Sequence, residues 1–287
     1  MHNLNECNIQ IGEFGCSLRF KDAGYAGSVR DYYTGFLSPE QPDLTIDVEI
    51  ILHEDQLNVP DSLLLSKTVR GKNFDFHRGL LKGWLEVKAN ICHVEAKNAL
   101  FSGSSVRIFE QFLYQIYYTL LQEKYPSQKP DNYLLHACGV KKDGLGYVFT
   151  GRSGSGKSTI ACLADNYQVL NDEMVIIGKK SSRYQVRSTP FNGEFKTKVN
   201  GSAPLRAIFY LRHGDRNYLK SLTPIEFVSL AIREVVVPTP LLSVHSANDL
   251  SKMTDFCADL VSEVPCYELY FVPDDNIWKF IAKSLKE

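Results

Sequence analysis

The chain lacks an apolar run long enough to span a bilayer, and its polar opening Met1-His2-Asn3-Leu4-Asn5-Glu6 lacks the apolar core of a secretory signal. These absences read as a cytoplasmic protein with no membrane partner. No sign of charge dominates. Lys and Arg total 32 against 33 Asp and Glu, so no global field draws the chain to nucleic acid or to an anionic surface. Seven cysteines are present without a Cys-x-x-Cys pair, and their odd number and wide spacing exclude a disulfide framework and a zinc module. They are expected to be small core residues. Internal repeats, low-complexity tracts and charge blocks are absent too, which leaves one large globular domain or two modest ones.

What is there centres on Gly151-Arg152-Ser153-Gly154-Ser155-Gly156-Lys157-Ser158-Thr159, which fits the phosphate-binding pattern Gly-x4-Gly-Lys-Ser/Thr at every fixed position. The flanks agree: Tyr147-Val148-Phe149-Thr150 predicts a buried strand and Ile160-Ala161-Cys162-Leu163-Ala164 a helix. Glycines let successive N–H groups turn inward on a phosphate, and the helix start adds partial positive charge. The cofactor-binding set is therefore Gly151, Ser153, Gly154, Ser155, Gly156, Lys157, Ser158 and Thr159. Lys157 suits the β- and γ-phosphates of ATP, and the Ser158 hydroxyl suits Mg²⁺.

Before the loop, alternation predicts strands at Asn8–Ile11, Ser17–Phe20 and Leu44–Ile51, and a meander over Phe74–His77, Gly83–Val87 and Asn90–Glu95. A short helix is expected over Val29–Leu37. A longer one, capped by Ser104-Ser105, carries an apolar stripe through Phe109, Phe112, Leu113 and Ile116. His77 and His93 have no second ligand nearby and read as strand residues. The break over Tyr125–Asn132 divides a β-rich N-terminal domain (1–125) from a nucleotide-binding domain (130–287).

In the second part, Tyr133–Val140 and Leu145–Thr150 predict paired strands leading into the loop. The run Tyr167–Gly178 reads as a strand interrupted by Asp172 and Glu173. Adjacent carboxylates in an apolar run are costly unless they face a cleft, a metal or a partner, and both reach one place only if the strand bends there. Thr189–Phe195 is a loop that could project toward them. Pro204–Arg212 is a further strand, Pro224–Arg233 and Asp249–Ser262 are helical, and Tyr267–Phe271 precedes a terminal helix at Ile277–Leu285.

Leu135-His136-Ala137 ahead of the loop, the loop itself, and Asp172-Glu173 a short helix later resemble the C-terminal domain of HPr kinase/phosphorylase and its kinase-like relatives. That domain is similar in core to phosphoenolpyruvate carboxykinase. The resemblance covers roughly residues 133–212 and implies an α/β fold of α+β character, with a P-loop kinase domain beside the smaller β-rich domain. It also implies roles. His136 lies in the active site, Asp172 acts as base toward an acceptor serine, and Glu173 belongs to the metal region. The catalytic set is then Asp172, His136 and Lys157, and the metal set Ser158, Glu173 and Asp172, with ATP and Mg²⁺ bound. Three features depart from the family. Thr159 stands where the bifunctional enzymes have Glu, the second acid is Glu173 rather than Asp, and the downstream loop signature for the substrate protein is absent. The resemblance thus points to a kinase-like relative.

The expected function is an ATP-dependent kinase acting on a hydroxyl of a protein, peptide or small molecule, with homo-oligomer formation left open. A module that binds nucleotide without transferring phosphate, and a carboxykinase-like enzyme, are the alternatives. The Asn-Lys-x-Asp segment that accompanies guanine specificity in P-loop proteins is missing, which favours adenine. Glu194, Arg152 and Arg206 are accessory candidates.

Overall fold

The computed structural model describes residues 5–51, 68–70, 73–78, 81–97, 109–110, 112–113, 115–116, 132–191, 193, 199–236 and 247–286. The protein is a mixed α/β structure built on two sheets. It divides into two compact units, Met1–Gln128 with Pro238–Val244, and Lys129–Val237 with His245–Glu287.

The first unit carries a seven-stranded sheet in the order β1-β2-β3-β7-β6-β5-β4. Its strands are β1 (Glu6–Ile11), β2 (Phe14–Phe20), β3 (Leu44–Ile51), β4 (Thr68–Arg70), β5 (Asn73–Arg78), β6 (Leu81–Glu86) and β7 (Ile91–Lys97). Strict alternation decides which face is buried: Cys7, Ile9 and Ile11 on β1, and Cys92, Val94 and Ala96 on β7, are all within 2% of fully buried. The first two strands turn at Gly12, whose φ of 62° suits a two-residue hairpin. β2 and β3 run parallel and are joined through helix α1 (Ala23–Tyr32), which Asp22 caps by accepting the Gly24 N–H. The helix therefore starts six residues before the sequence reading placed it. Gly24 and Gly27 weaken the helical signal there. Of the expected longer helix, Phe109, Glu110, Phe112, Leu113, Gln115 and Ile116 are helical, with the four apolar members buried; the remainder, including its Ser104-Ser105 cap and most of the expected boundary, lies outside the described residues. His93 packs its ring against Trp84 with centroids 4.1 Å apart and sits 3.6 Å from Asp47, an ordinary strand environment.

The second unit holds a nine-stranded sheet whose main path is β10-β8-β11-β12-β13-β16-β14. These strands are β8 (Asn132–Lys142), β9 (Leu145–Thr150), β10 (Gln168–Asn171), β11 (Met174–Lys180), β12 (Arg183–Arg187), β13 (Ser202–His213), β14 (Tyr218–Ser221), β15 (Val235–Val236) and β16 (Cys266–Phe271). Off that path, β9 pairs with β8 and β13, and β15 pairs with β8. Helices α2 (Lys157–Cys162) and α5 (Ile277–Leu285) contribute Ile160, Ala161, Trp278 and Ile281 to one apolar cluster. Helices α3 (Pro224–Ala231) and α4 (Ala247–Glu263) contribute Phe227, Ala231, Met253, Cys257 and Leu260 to another. Along β13, Ala207, Phe209 and Leu211 enter the first cluster while Ile208 and Tyr210 enter the second. The sheet is thus a middle layer buried on both faces, which is why its strands read as continuous apolar runs.

The expected interruption at the acidic pair is a real one. β10 ends at Asn171 and β11 begins at Met174, both pairing antiparallel with β8. Asn171 builds the break. Its Oδ1 accepts the N–H groups of Glu173 and Met174, each at 2.7 Å, and its Nδ2 donates to the Thr189 carbonyl at 2.9 Å.

Two predictions follow from these local anchors. Asn171→Ala leaves two main-chain donors and one acceptor without their partner, at a cost of about 2–4 kcal/mol that a urea titration would read as a lower midpoint; an unchanged midpoint would show that the break is held by other contacts. The second concerns the capping box of α3. Hydrogen bonds from the Thr223 N–H, from Lys220 and from the Thr223 hydroxyl hold the Glu226 carboxyl down to about 2 from its ordinary 4.5. Its folded pKa lies below the unfolded one, so its contribution is complete above about 4.5 and lost as pH falls toward 2. The stability gap between the protein and Glu226→Gln should close across that window, measured by denaturant titration at stepped pH; a gap independent of pH would refute the assignment.

Candidate active site

Three elements end against the middle of β8. Ala137 pairs with Thr150, the last residue before the phosphate loop, and the Thr150 hydroxyl donates to the His136 carbonyl at 2.9 Å. Met174, the first residue after the acidic pair, pairs with His136, and the Ala137 N–H donates to the Glu173 carbonyl at 3.0 Å. The His136 N–H donates to the Glu234 carbonyl at 2.9 Å, just before β15. The sheet ladder therefore gathers the loop, the acids and the histidine at one point.

The loop has the backbone that its glycines permit. Gly151, Gly154 and Gly156 have φ values of 145°, 77° and 102°. At Gly156 a Cβ would lie 2.5 Å from Cζ of Phe271, and at Gly151 it would lie 2.8 Å from the Ser155 hydroxyl. A side chain at either position would force its neighbour to shift. Ser155 Oγ is buried without a hydrogen-bond partner. Lys157 is 7% exposed, and its ammonium donates to the Gly151 carbonyl at 2.8 Å and the Arg152 carbonyl at 3.3 Å. Burial lowers its pKa, opposed by the negative charges of Glu234 and then Glu173. Ser153, Gly154 and Ser158 are exposed and Thr159 is half-buried.

The two acids are unlike each other. Asp172 is 2% exposed and its Oδ1 accepts the Gly193 N–H at 3.0 Å; a Cβ on Gly193 would fall 2.7 Å from Oδ2. The loop after β12 thus reaches the acidic pair as expected. Glu173 has a side chain 38% exposed, and its Oε1 is 3.5 Å from Nε2 of His136. On the other side of the ring, Nδ1 of His136 is 3.5 Å from Oε2 of Glu234, whose side chain is 9% exposed. The imidazole lies between two carboxylates.

Glu234 was not among the sequence candidates. Its signal was a carboxylate directly before the β-branched pair Val235-Val236, after a helix. His213 was missed as well. β13 runs parallel to β9, so its end arrives beside the loop, and His213 Nε2 lies 3.0 Å from the Gly154 carbonyl. Of the accessory candidates, Arg206 donates to the Leu285 carbonyl at 3.3 Å, at the end of α5. Arg152 is exposed, and Glu194 lies outside the described residues.

The donor set bears on Mg²⁺. Among the described residues no three His, Cys, Asp or Glu side chains gather to hold a metal. A hydroxyl at Ser158 and a half-exposed carboxylate at Glu173 instead suit an ion that takes one or two protein ligands and completes its shell with phosphate oxygens and water. The residues fit that role. No described helix is long and apolar enough to cross a membrane.

A family model described as "SynChlorMet cassette protein ScmC" matches residues 105–286. None of the curated proteins matches the chain. Among solved structures, the HPr(Ser) kinase/phosphatase from Coxiella burnetii is similar at 10% identity and a TM-score of 0.31, over 53% of this chain and 93% of that one. So low a score carries no argument about this chain. The family match spans more than half of the sequence, and the chain belongs to the SynChlorMet cassette ScmC family.

Proposed function

We propose that this chain is an ATP-dependent kinase that moves a γ-phosphoryl group to a hydroxyl, with a serine of a protein or peptide as the acceptor class. The observation that carries the reading is the convergence on β8 of a glycine-built phosphate cradle, a buried lysine, two unlike carboxylates and a histidine. Phosphoryl transfer asks for positioning and charge neutralisation rather than a covalent nucleophile, and these groups supply both.

In this reading the loop N–H groups and Lys157 bind the phosphates. The ammonium exchanges its contacts with the Gly151 and Arg152 carbonyls for the phosphate oxygens. Asp172, held by the Gly193 N–H, orients the acceptor hydroxyl and takes its proton as the acceptor oxygen bonds to the γ-phosphorus. The bond from that phosphorus to the bridging oxygen breaks, and ADP leaves with the electron pair. Ser158 and Glu173 would hold Mg²⁺, which when bound neutralises charge on the phosphates. His136 orients Glu173 through its Nε2. We assign the first unit to acceptor recognition or assembly, because the loop, the acids and His136 all belong to the second.

Lys157→Ala should weaken Mg-ATP binding about tenfold or more, equivalent to ~1.4 kcal/mol, by calorimetry; unchanged affinity would remove the loop assignment. Asp172→Asn keeps an oxygen to accept the Gly193 N–H but loses the proton-accepting charge. It should leave Mg-ATP binding nearly intact and slow transfer on the order of 10²–10⁴-fold, whereas Glu173→Gln should raise the magnesium requirement. Single-turnover assays with labelled ATP across a magnesium titration measure both. Rescue of Asp172→Asn by excess magnesium would reverse the two roles. ATP binding with no labelled acceptor in any assay would favour the nucleotide-dependent binding module instead.

A further inference from the structure

We infer that Glu234 is a positioning residue that fixes the His136 ring, and through it the outward carboxylate of Glu173; the inference rests on the phosphoryl-transfer reading above. Glu234 holds His136 twice. Its carbonyl accepts the His136 main-chain N–H at 2.9 Å, and its side chain lies 3.5 Å from Nδ1 of the same residue. The backbone contact belongs to a ladder in which Val235 pairs with Leu135 and Val236 with Leu134. The start of this segment is fixed as well, since the Glu234 N–H donates to the Ala231 carbonyl at the end of α3. The main chain at Glu234 is therefore held on both sides, by α3 and by β8.

Exposure separates the roles of the two carboxylates that flank the ring. Side-chain exposure rises from 9% at Glu234 to 27% at His136 and 38% at Glu173. The Glu234 carboxylate lies against Nδ1 of the ring, and it acts on what it touches. Burying such a charge is costly unless it is paired, and the imidazole is its partner here. A carboxylate against one ring nitrogen fixes the plane of the ring. With Nδ1 held inward, Nε2 faces Glu173. The chain Glu234–His136–Glu173 carries orientation from the buried end of α3 to the open side of the site, as orienting carboxylates do behind catalytic histidines.

The test uses the full chain, Glu234→Ala and Glu234→Gln, with three readouts: long-range ¹H–¹⁵N spectra of the His136 ring, assigned by its loss in His136→Gln; single-turnover transfer from labelled ATP; and Mg-ATP affinity. Glu234→Ala should change the ring ¹⁵N signature and slow transfer by about 10–100-fold, a loss in rate larger than any loss in Mg-ATP affinity. Glu234→Gln keeps an oxygen for the Nδ1 proton and should retain the ring signature and most of the rate. If Glu234→Ala does not fold, Glu234→Asp, which withdraws the carboxylate by one methylene, serves in its place. An unchanged ring spectrum in the Ala or Asp variant overturns the inference, as does a rate that does not respond to a changed ring. If the parent transfers no phosphate, the kinase reading fails on its own. The ring spectra then still decide whether Glu234 orients His136.

Discussion

Strand β8 is the constraint on which the second unit depends. Its main chain pairs with β9, β10, β11 and β15, so a single extended segment sets the register of four others. A strand's side chains alternate between faces, and a slip by one residue would send every apolar group to the wrong layer. Tyr133, Leu135 and Ala137 belong to one apolar cluster, and Cys138 and Val140 to the other. His136 is the position at which the partners change over, from the strands on the loop side to those on the α3 and α4 side. Placing a polar residue there lets the sheet hold a site without interrupting either apolar cluster.

Much of this was legible because the signals are local. The phosphate loop is a sequence pattern whose reason lies in three φ values, and those need only the glycines themselves. The break at Asp172-Glu173 was legible because a pair of carboxylates cannot continue an apolar strand; Asn171, whose side chain makes the break, sits directly before it. What stayed hidden was short or distant. β12, β14 and β15 run five, four and two residues, too few for a periodic pattern to declare itself. Glu234 and His213 reach the site only through β15 pairing with β8 and β13 lying parallel to β9. Pairing partners are a property of the whole sheet, and nothing in the residues around Glu234 names His136. Helix α1 starts at its Asp22 cap, a start that Gly24 and Gly27 masked in the sequence.

In the proposed reading, the loop's own hydrogen bonds are the ones a bound phosphate would replace. Lys157 gives up solvent and takes two carbonyl oxygens as partners, and the Ser155 N–H is spent on the Arg152 carbonyl. Carbonyl oxygens are weaker partners for an ammonium than phosphate oxygens are, so the exchange on binding is favourable. Burial depresses the lysine's pKa, and the charges of Glu234 and then Glu173 oppose that fall.

The cysteines carry a practical consequence. Cys7, Cys16, Cys92, Cys138, Cys257 and Cys266 are buried, and burial pushes their thiols upward, Cys7 to about 11 and Cys257 to about 12. Cys162 alone among the seven is exposed, and it closes α2, the helix that begins at Lys157. A thiol-directed fluorophore or spin label would therefore find one address on the folded chain, a turn and a half of helix from the phosphate cradle. The fold has reduced seven competing nucleophiles to a single reporter position, placed where loop movements can be followed without engineering a cysteine-free background.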